Sequence, residues 1–212
     1  MPTQRALSSQ PPAGAVARAL GWLWFRASGW RLEGSLPENT RVVIIAAPHT
    51  SNWDLPFMLA SAYQLGIRPS WLGKQQLFRA PFGRFMRALG GVPVERGQRS
   101  NLVRQVAARF AEVERLFLVV PPSGTRGRAL HWKSGFYHIA RAAGVPIVCT
   151  FLDYSRKVAG VGLVITPSGD TRADMDRIRA VYAPIVGRYP NKTTPVRLSE
   201  EDGPRRAAAS GP

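Results

Sequence analysis

The sequence predicts an α/β fold: a single domain with a mostly parallel central sheet flanked by helices, preceded by an N-terminal amphipathic helix. Short apolar runs alternate along the chain with amphipathic stretches of helical length. Several runs, such as Val42–Ala46, are apolar at every position, as in strands that are buried on both faces of a parallel sheet. The length of 212 residues suits one domain with a substantial core.

The elements follow from this alternation, in chain order. The predicted strands are Trp30–Glu33, Arg41–Ala46, Ser70–Gly73, Gly91–Val94, Leu116–Val120, Pro146–Leu152 and Val161–Thr166. The predicted helices after the N-terminal one are Asp54–Leu65, Phe82–Leu89, Ser100–Val113, Ser134–Ala143 and Asp170–Ile185. Since parallel strands joined by helices end at one edge of the sheet, functional residues are expected in the loops at that edge.

The two ends of the chain differ in composition from the segment between them. Residues 1–12 and 197–212 are polar or rich in Pro and small residues, and we expect both to be disordered. Residues 13–29 are predicted to form the amphipathic helix, and residues 30–190 the folded domain. The single cysteine, Cys149, excludes an internal disulfide and a Cys-rich zinc site, and its apolar neighbours indicate a buried thiol.

Charge is the strongest signal in the overall composition. The formal net charge is +16, from 29 Lys and Arg against 13 Asp and Glu, and it indicates an anionic partner. Nucleic acid, an acidic membrane surface and phosphorylated small molecules are the three classes to weigh. The basic residues are spread along the chain and form no arm or recognition helix, so nucleic acid is not expected.

The N-terminal helix, Ala15–Ser28, has an apolar face and a face that mixes arginines with aromatic residues. The first face holds Val16, Leu20, Leu23, Trp24 and Ala27, and the second holds Arg18, Trp22, Phe25 and Arg26. Two interpretations stay open: a helix that lies in the membrane interface, or a helix that packs on the domain. The longest uncharged run, Leu55–Ile67, is too short to span a bilayer, and no signal peptide is evident. We therefore expect a peripheral protein on the cytoplasmic face of the cell membrane.

His49 and Asp54 form the most informative pair of residues. His49 follows a buried strand, and Asp54 lies five positions later at a predicted helix start. The carboxylate can hold one imidazole nitrogen while the other takes a proton from a hydroxyl, which describes a general base. The alternative is that Asp54 only caps the helix.

Three further blocks carry polar residues after predicted strands. Pro122–Arg126 combines a glycine, a hydroxyl and a guanidinium, which together suit an anion. Glu95 and Arg96 follow the predicted strand Gly91–Val94. Lys74 follows the predicted strand Ser70–Gly73. Each block also fits an ordinary exposed turn or a solvated charge.

Taken in order, the blocks resemble the glycerophospholipid acyltransferase family. His49 and Asp54 match its His-x4-Asp motif, Gly91–Arg96 its second motif, and Pro122–Arg126 its Pro-Glu-Gly-Thr-Arg motif. Val145–Ile147 matches the fourth motif, an apolar run built on Val-Pro-Ile. The resemblance runs from about residue 30 to residue 188, and Ser123 departs from it by replacing the family's Glu.

The resemblance implies an O-acyltransferase of phospholipid biosynthesis. It would move a fatty acyl group from acyl-CoA or acyl-ACP to the hydroxyl of a lysophospholipid such as 1-acylglycerol-3-phosphate. His49 would be the base and Asp54 its orienting carboxylate, with no covalent intermediate, no metal and no further cofactor. The residues expected to bind the phosphate are Lys74, Arg96, Ser123, Gly124, Thr125 and Arg126. Because of Ser123, two alternatives remain: a non-phosphate lyso-lipid acceptor, or a lipid-binding protein with a weakened site.

Overall fold

The structure is a computed structural model that describes residues 7, 9–94 and 99–202. Its strands are β1 (Arg31–Glu33), β2 (Arg41–Ala47), β3 (Ser70–Lys74), β4 (Gly91–Val94), β5 (Leu116–Val120), β6 (Ile147–Asp153) and β7 (Val158–Ile165). Its α-helices are α1 (Ala15–Ser28), α2 (Asp54–Gln64), α3 (Gly83–Ala88), α4 (Arg99–Glu112), α5 (Gly135–Ala143) and α6 (Thr171–Tyr182). The predicted α/β architecture is confirmed. α6 ends three residues earlier than predicted, because Pro184 has no backbone N–H with which to continue the helical hydrogen bonds.

All seven described strands form one sheet, in the order β1-β7-β6-β2-β5-β3-β4. β2 lies at its centre and pairs in parallel with β5 on one side and β6 on the other. β3 and β4 extend the parallel part, whereas β7 runs antiparallel to β6. The sheet is therefore mostly parallel, and the carboxyl ends of its five parallel strands meet at one edge.

The side chains of β2 alternate between two cores. Val43, Ile45 and Ala47 pack on the face that is covered by α4, α5 and α6. Val42 and Ile44 pack on the opposite face, beneath α2. Because successive side chains of a strand point to opposite faces, an apolar residue at every position is what a central strand requires.

Helix α1 packs antiparallel on α2 through a narrow stripe. A Cβ atom at Gly21 would lie only 2.7 Å from the carbonyl oxygen of Ala60, so this close approach needs a glycine. Phe25, predicted to lie on the arginine-bearing face, is instead buried against Trp30 and Phe57. Several large apolar side chains remain exposed, namely Val16, Leu20, Trp22, Leu23 and Trp24. α1 thus packs on the domain and also presents an apolar face to solvent.

Both predicted disordered ends need correction where the structure describes them. Leu198 is fully buried and lies beside Trp132, and residues Ser199–Asp202 form a 3-10 helix. Arg179 of α6 pairs with Glu201, so the domain continues past residue 190 to residue 202. At the other end, Leu7 is buried in the core. The remaining residues of the predicted ends, 1–6, 8 and 203–212, lie outside the described part.

Cys149 lies in the centre of β6 and is fully buried, as predicted. Burial raises the pKa of its thiol to about 12. A thiol with this pKa is not a nucleophile at neutral pH. Of the helices that the structure describes, none combines the length and the apolar composition that crossing a bilayer requires.

Candidate active site

The His49–Asp54 pair is formed at the carboxyl end of the central strand. β2 delivers His49 into a loop, and Asp54 is the first residue of α2. The imidazole Nδ1 lies 3.0 Å from Asp54 Oδ2. The His49 side chain is 25% exposed and that of Asp54 is 6% exposed, so the carboxylate is buried and the imidazole reaches solvent. Since Nδ1 is held by Asp54, Nε2 is the nitrogen available to a substrate hydroxyl.

The Asp54 carboxylate does not cap its own helix. Its Oδ2 accepts hydrogen bonds from the backbone N–H groups of Thr50 and Ser51, at 2.9 and 3.0 Å, both of which precede it in the loop. The carboxylate therefore ties the loop and the imidazole together. The helix-cap interpretation of Asp54 is wrong in this respect, because its partners belong to the His49 loop.

A fourth donor to Asp54 comes from a residue that the sequence analysis missed. The Tyr154 hydroxyl, from the turn after β6, donates to Asp54 Oδ1 at 2.8 Å. The Tyr154 ring packs edge-on against Trp30 and Phe57. Burial, with the charge of Asp54, raises the pKa of Tyr154 above its ordinary value, so the hydroxyl stays protonated. Tyr154 thus fixes the carboxylate from the side opposite to His49.

An open cavity of about 1740 Å³ joins this pair to the Gly-Thr-Arg loop after β5. His49, Asp54, Gly124, Thr125 and Arg126 all line it. The rest of its lining is largely apolar and extends beneath α2, with Leu36, Ile44, Met58, Ile67, Trp71 and Val119. Phe82 and Phe85 are exposed and do not line it.

The other predicted phosphate-binding residues are placed differently. Ser123 is buried, and its hydroxyl donates to the carbonyl oxygen of Thr125 at 2.8 Å. It lines a separate cavity of about 30 Å³ on another side of His49. Arg96 and the side chain of Lys74 lie outside the described part, although the backbone places Lys74 at the carboxyl end of β3.

Lys133 is a second residue whose place in the site the sequence analysis missed. A Cβ atom at Gly124, where φ is +64°, would lie 2.8 Å from Lys133 Nζ. The Lys133 backbone N–H donates to the carbonyl oxygen of Pro122 at 2.8 Å. This bond ties the segment that contains Lys133 to the Gly-Thr-Arg loop. The ammonium group also adds a positive charge beside Gly124.

The fold and the site define the class of protein: an α/β sandwich with a buried carboxylate and an imidazole at the end of its central strand. The family model described as Acyltransferase matches residues 30–152, which contain this pair and the Gly-Thr-Arg loop. The chain belongs to the Acyltransferase family.

Three known proteins are similar to this chain. A 1-acyl-sn-glycerol-3-phosphate acyltransferase of Haemophilus influenzae is 32% identical over 145 residues, which cover 64% of this chain and 58% of that protein. One of Salmonella typhimurium is 32% identical over 117 residues, 52% of this chain and 46% of that protein. The chain thus spans about half the length of these relatives. The crystal structure of the 1-acyl-sn-glycerophosphate acyltransferase PlsC of Thermotoga maritima matches with a TM-score of 0.56 at 18% identity, over 80% of this chain and 75% of that one.

Proposed function

We propose that the protein transfers a fatty acyl group to the hydroxyl of a lysophospholipid such as 1-acylglycerol-3-phosphate, in phospholipid synthesis. The acyl donor is a thioester of coenzyme A or of acyl carrier protein. One observation carries this proposal: the imidazole that is 3.0 Å from a buried carboxylate and lines the large cavity. The H. influenzae and S. typhimurium relatives are both 1-acyl-sn-glycerol-3-phosphate acyltransferases, which supports the same acceptor.

The proposed chemistry needs one well-placed base. His49 Nε2 takes the proton of the acceptor hydroxyl while the hydroxyl oxygen attacks the thioester carbonyl carbon. The tetrahedral intermediate then expels the thiolate, which takes the proton from the imidazolium, so the products are an ester and a thiol. Asp54 holds the imidazole and stabilises the imidazolium. A positioned base of this kind contributes about 10²–10⁴-fold to the rate.

The acceptor phosphate would bind at the Gly-Thr-Arg loop. Thr125 and Arg126 are exposed in the same cavity as His49, and their hydroxyl and guanidinium are phosphate donors. Lys133, beside Gly124, adds a positive charge to this group. Lys74 and Arg96 remain predicted helpers, and Ser123 would act through the shape of the loop, since its hydroxyl is bonded to the Thr125 carbonyl.

The acyl chain of the donor would enter the apolar part of the cavity beneath α2. Ile44, Met58 and Val119 line this part, and it communicates with His49 through the same open space. A cavity that joins polar groups at one end to apolar walls at the other matches a substrate with a reactive head and a fatty tail.

Binding to the membrane surface would bring the enzyme to its acceptor. The exposed apolar face of α1 and the net charge of +16 together suit an anionic bilayer, where each nearby basic residue contributes about 1 kcal/mol. We place the protein as a peripheral protein on the cytoplasmic face, where the sequence analysis predicts it.

One observation favours a second acceptor class. Ser123 puts a neutral, internally bonded hydroxyl where the resembled family has a carboxylate, and this change suits a lyso-lipid without a phosphate. A lipid-binding protein with a weakened site is the remaining alternative.

An acceptor panel tests these proposals. The purified protein is incubated with long-chain acyl-CoA or acyl-ACP and with lysophosphatidic acid, other lysophospholipids and lyso-aminolipids, and products are detected by mass spectrometry. Diacylated phosphatidic acid supports the first proposal, and a diacylated aminolipid alone supports the second. Thermal stabilisation by these lipids without any product would instead favour the lipid-binding alternative.

The Tyr154 hydroxyl gives a test of the dyad. We expect Tyr154→Phe to lower kcat about tenfold, with little change in KM, because the carboxylate that positions the imidazole loses one of its four hydrogen-bond donors. With one donor fewer, Asp54 keeps more negative charge facing the imidazolium and holds it more tightly. The low-pH limb of the pH–rate profile should therefore move to higher pH.

Tyr137→Phe is the matched control. Tyr137 is buried and, like Tyr154, donates to an aspartate, Asp174, at 2.7 Å, on the other face of the sheet. Its loss should lower the melting temperature without moving the pH–rate profile. If both variants leave the profile in place, Tyr154 only packs and does not position Asp54.

A further inference from the structure

An arginine surrounded by aromatic rings lies beside the candidate active site. The guanidinium carbon of Arg188 lies 5.8, 5.7 and 5.9 Å from the ring centres of Trp53, Tyr154 and Tyr189. Lys192 Nζ lies 4.7 Å from the ring centre of Tyr189. Trp53, Arg188, Tyr189 and Lys192 form what we call the cation–aromatic patch.

The cation–aromatic patch faces solvent. Trp53 is 50% exposed and Tyr189 is 42% exposed, and both cations are exposed. Within the described residues, no carboxylate forms an ion pair with Arg188 or Lys192. Exposed Trp and Tyr beside unpaired basic groups are the side-chain types that membrane interfaces prefer, because the rings suit the headgroup level and the cations suit phosphate.

The patch is attached to the loop that holds His49. The backbone N–H of Tyr189 donates to Thr50 Oγ1 at 3.2 Å. A Cβ atom at Gly187 would lie 3.0 Å from Pro48 Cγ, so the two segments are in close contact. Trp53 itself lies between His49 and Asp54 in the chain. Whatever binds the patch is therefore next to the loop of His49, which lines the cavity.

The patch also lies near one end of α1. The amino end of α1 lies near the carboxyl end of α2, since the Ala13 N–H donates to the carbonyl oxygen of Gly66. The carboxyl end of α1, with Trp24 and Phe25, packs on Phe57 near the start of α2. Trp53 immediately precedes α2, so the carboxyl end of α1 lies near the patch.

From these observations we infer that the cation–aromatic patch binds the phosphate-bearing headgroups of an anionic phospholipid bilayer. Together with α1, it would hold the His49 side of the cavity against the membrane. The inference rests on the proposed function for its biological setting only, since binding to vesicles needs no turnover. Charge complementarity selects the occupant: the patch carries two cations, and no described acidic residue neutralises them.

Vesicle sedimentation of the full chain tests the inference. The vesicles are phosphatidylcholine alone, or phosphatidylcholine mixed with phosphatidylglycerol. We expect Arg188→Gln and Lys192→Gln each to weaken binding to the anionic vesicles about fivefold and to leave binding to neutral vesicles unchanged. Matched controls are Arg141→Gln on α5 and Arg177→Gln on α6, exposed cations on the opposite layer, which should change binding by less than about twofold.

Equal losses for the patch and control variants would overturn the inference, because they would reflect net charge alone. Unchanged binding of the patch variants would overturn it as well. A third arm titrates coenzyme A: if Lys192→Gln weakens this binding and not vesicle binding, the patch holds donor phosphates and the inference fails. Weaker vesicle binding of the patch variants, together with no product in the acceptor panel, would support the membrane-binding inference and reject the acyltransferase proposal. The two failures are therefore distinguishable.

Discussion

Replacing His49 by alanine should lower kcat for acyl transfer by about 10²–10⁴-fold, the contribution of a positioned general base. The structure also predicts that the variant folds. His49 is one of four partners of the Asp54 carboxylate, and the other three, Thr50 N–H, Ser51 N–H and the Tyr154 hydroxyl, do not depend on it. The imidazole is partly exposed, so its removal leaves no sealed cavity in the core.

Initial rates with saturating acyl donor and acceptor measure this effect, and a thermal melt checks the fold. His138→Ala is the matched control, since His138 lines the same cavity but pairs with Glu200 and not with Asp54. The control should keep most of the activity. A His49→Ala enzyme that turns over at the wild-type rate would remove the imidazole from the mechanism.

The sheet was largely predictable from the sequence because its central strands carry their own signal. β2, β5 and β6 are apolar at nearly every position, and their predicted bounds agree with the structure to within one residue. β7 begins three residues before its prediction, because Val158 pairs with Asp153 directly after a turn that the apolar pattern does not mark. Local pattern fixes which segments are strands, while the turn between them depends on pairing.

The packed C-terminal segment was not predictable in the same way. Residues Ser199–Asp202 are polar and look like a solvated tail, and their order comes from partners far away in the chain. Glu201 pairs with Arg179, and Leu198 reaches the core beside Trp132. No local rule connects positions that are so far apart in the sequence.

The residues of the candidate site also differ in how far apart they lie in the sequence, and therefore in how predictable they were. His49 and Asp54 lie five positions apart, so their spacing could suggest the pair. Tyr154 lies 100 positions from Asp54, and only the parallel pairing of β2 with β6 brings their carboxyl ends together. The one available signal was that Tyr154 lies two residues after a predicted strand, Pro146–Leu152. The same reasoning applies to Lys133, which reaches Gly124 through the fold of its own loop.

Asp54→Asn should be the second most damaging change. The amide keeps the size of the carboxylate, and its carbonyl oxygen can accept from Thr50 and Ser51 while its NH₂ group faces the Tyr154 oxygen, which can accept a hydrogen bond. The fold should therefore survive, with a lower melting temperature. Activity should not, because the proposed mechanism needs the buried negative charge to stabilise the imidazolium. Loss of the corresponding charge in Ser-His-Asp enzymes lowers kcat about 10⁴-fold, and we expect a loss of about 10²–10⁴-fold here.

The pH dependence separates loss of charge from loss of structure. Without the carboxylate, the imidazolium is less stabilised, so the low-pH limb of the residual Asp54→Asn activity should move to lower pH. This shift is opposite in sign to the one expected for Tyr154→Phe, where the carboxylate keeps its charge and loses a donor. Rate profiles of the two variants, measured against the same acceptor, therefore test the proposed dyad from both sides. If the low-pH limbs of the Asp54→Asn and Tyr154→Phe profiles move in the same direction, Asp54 does not act on His49 through its charge.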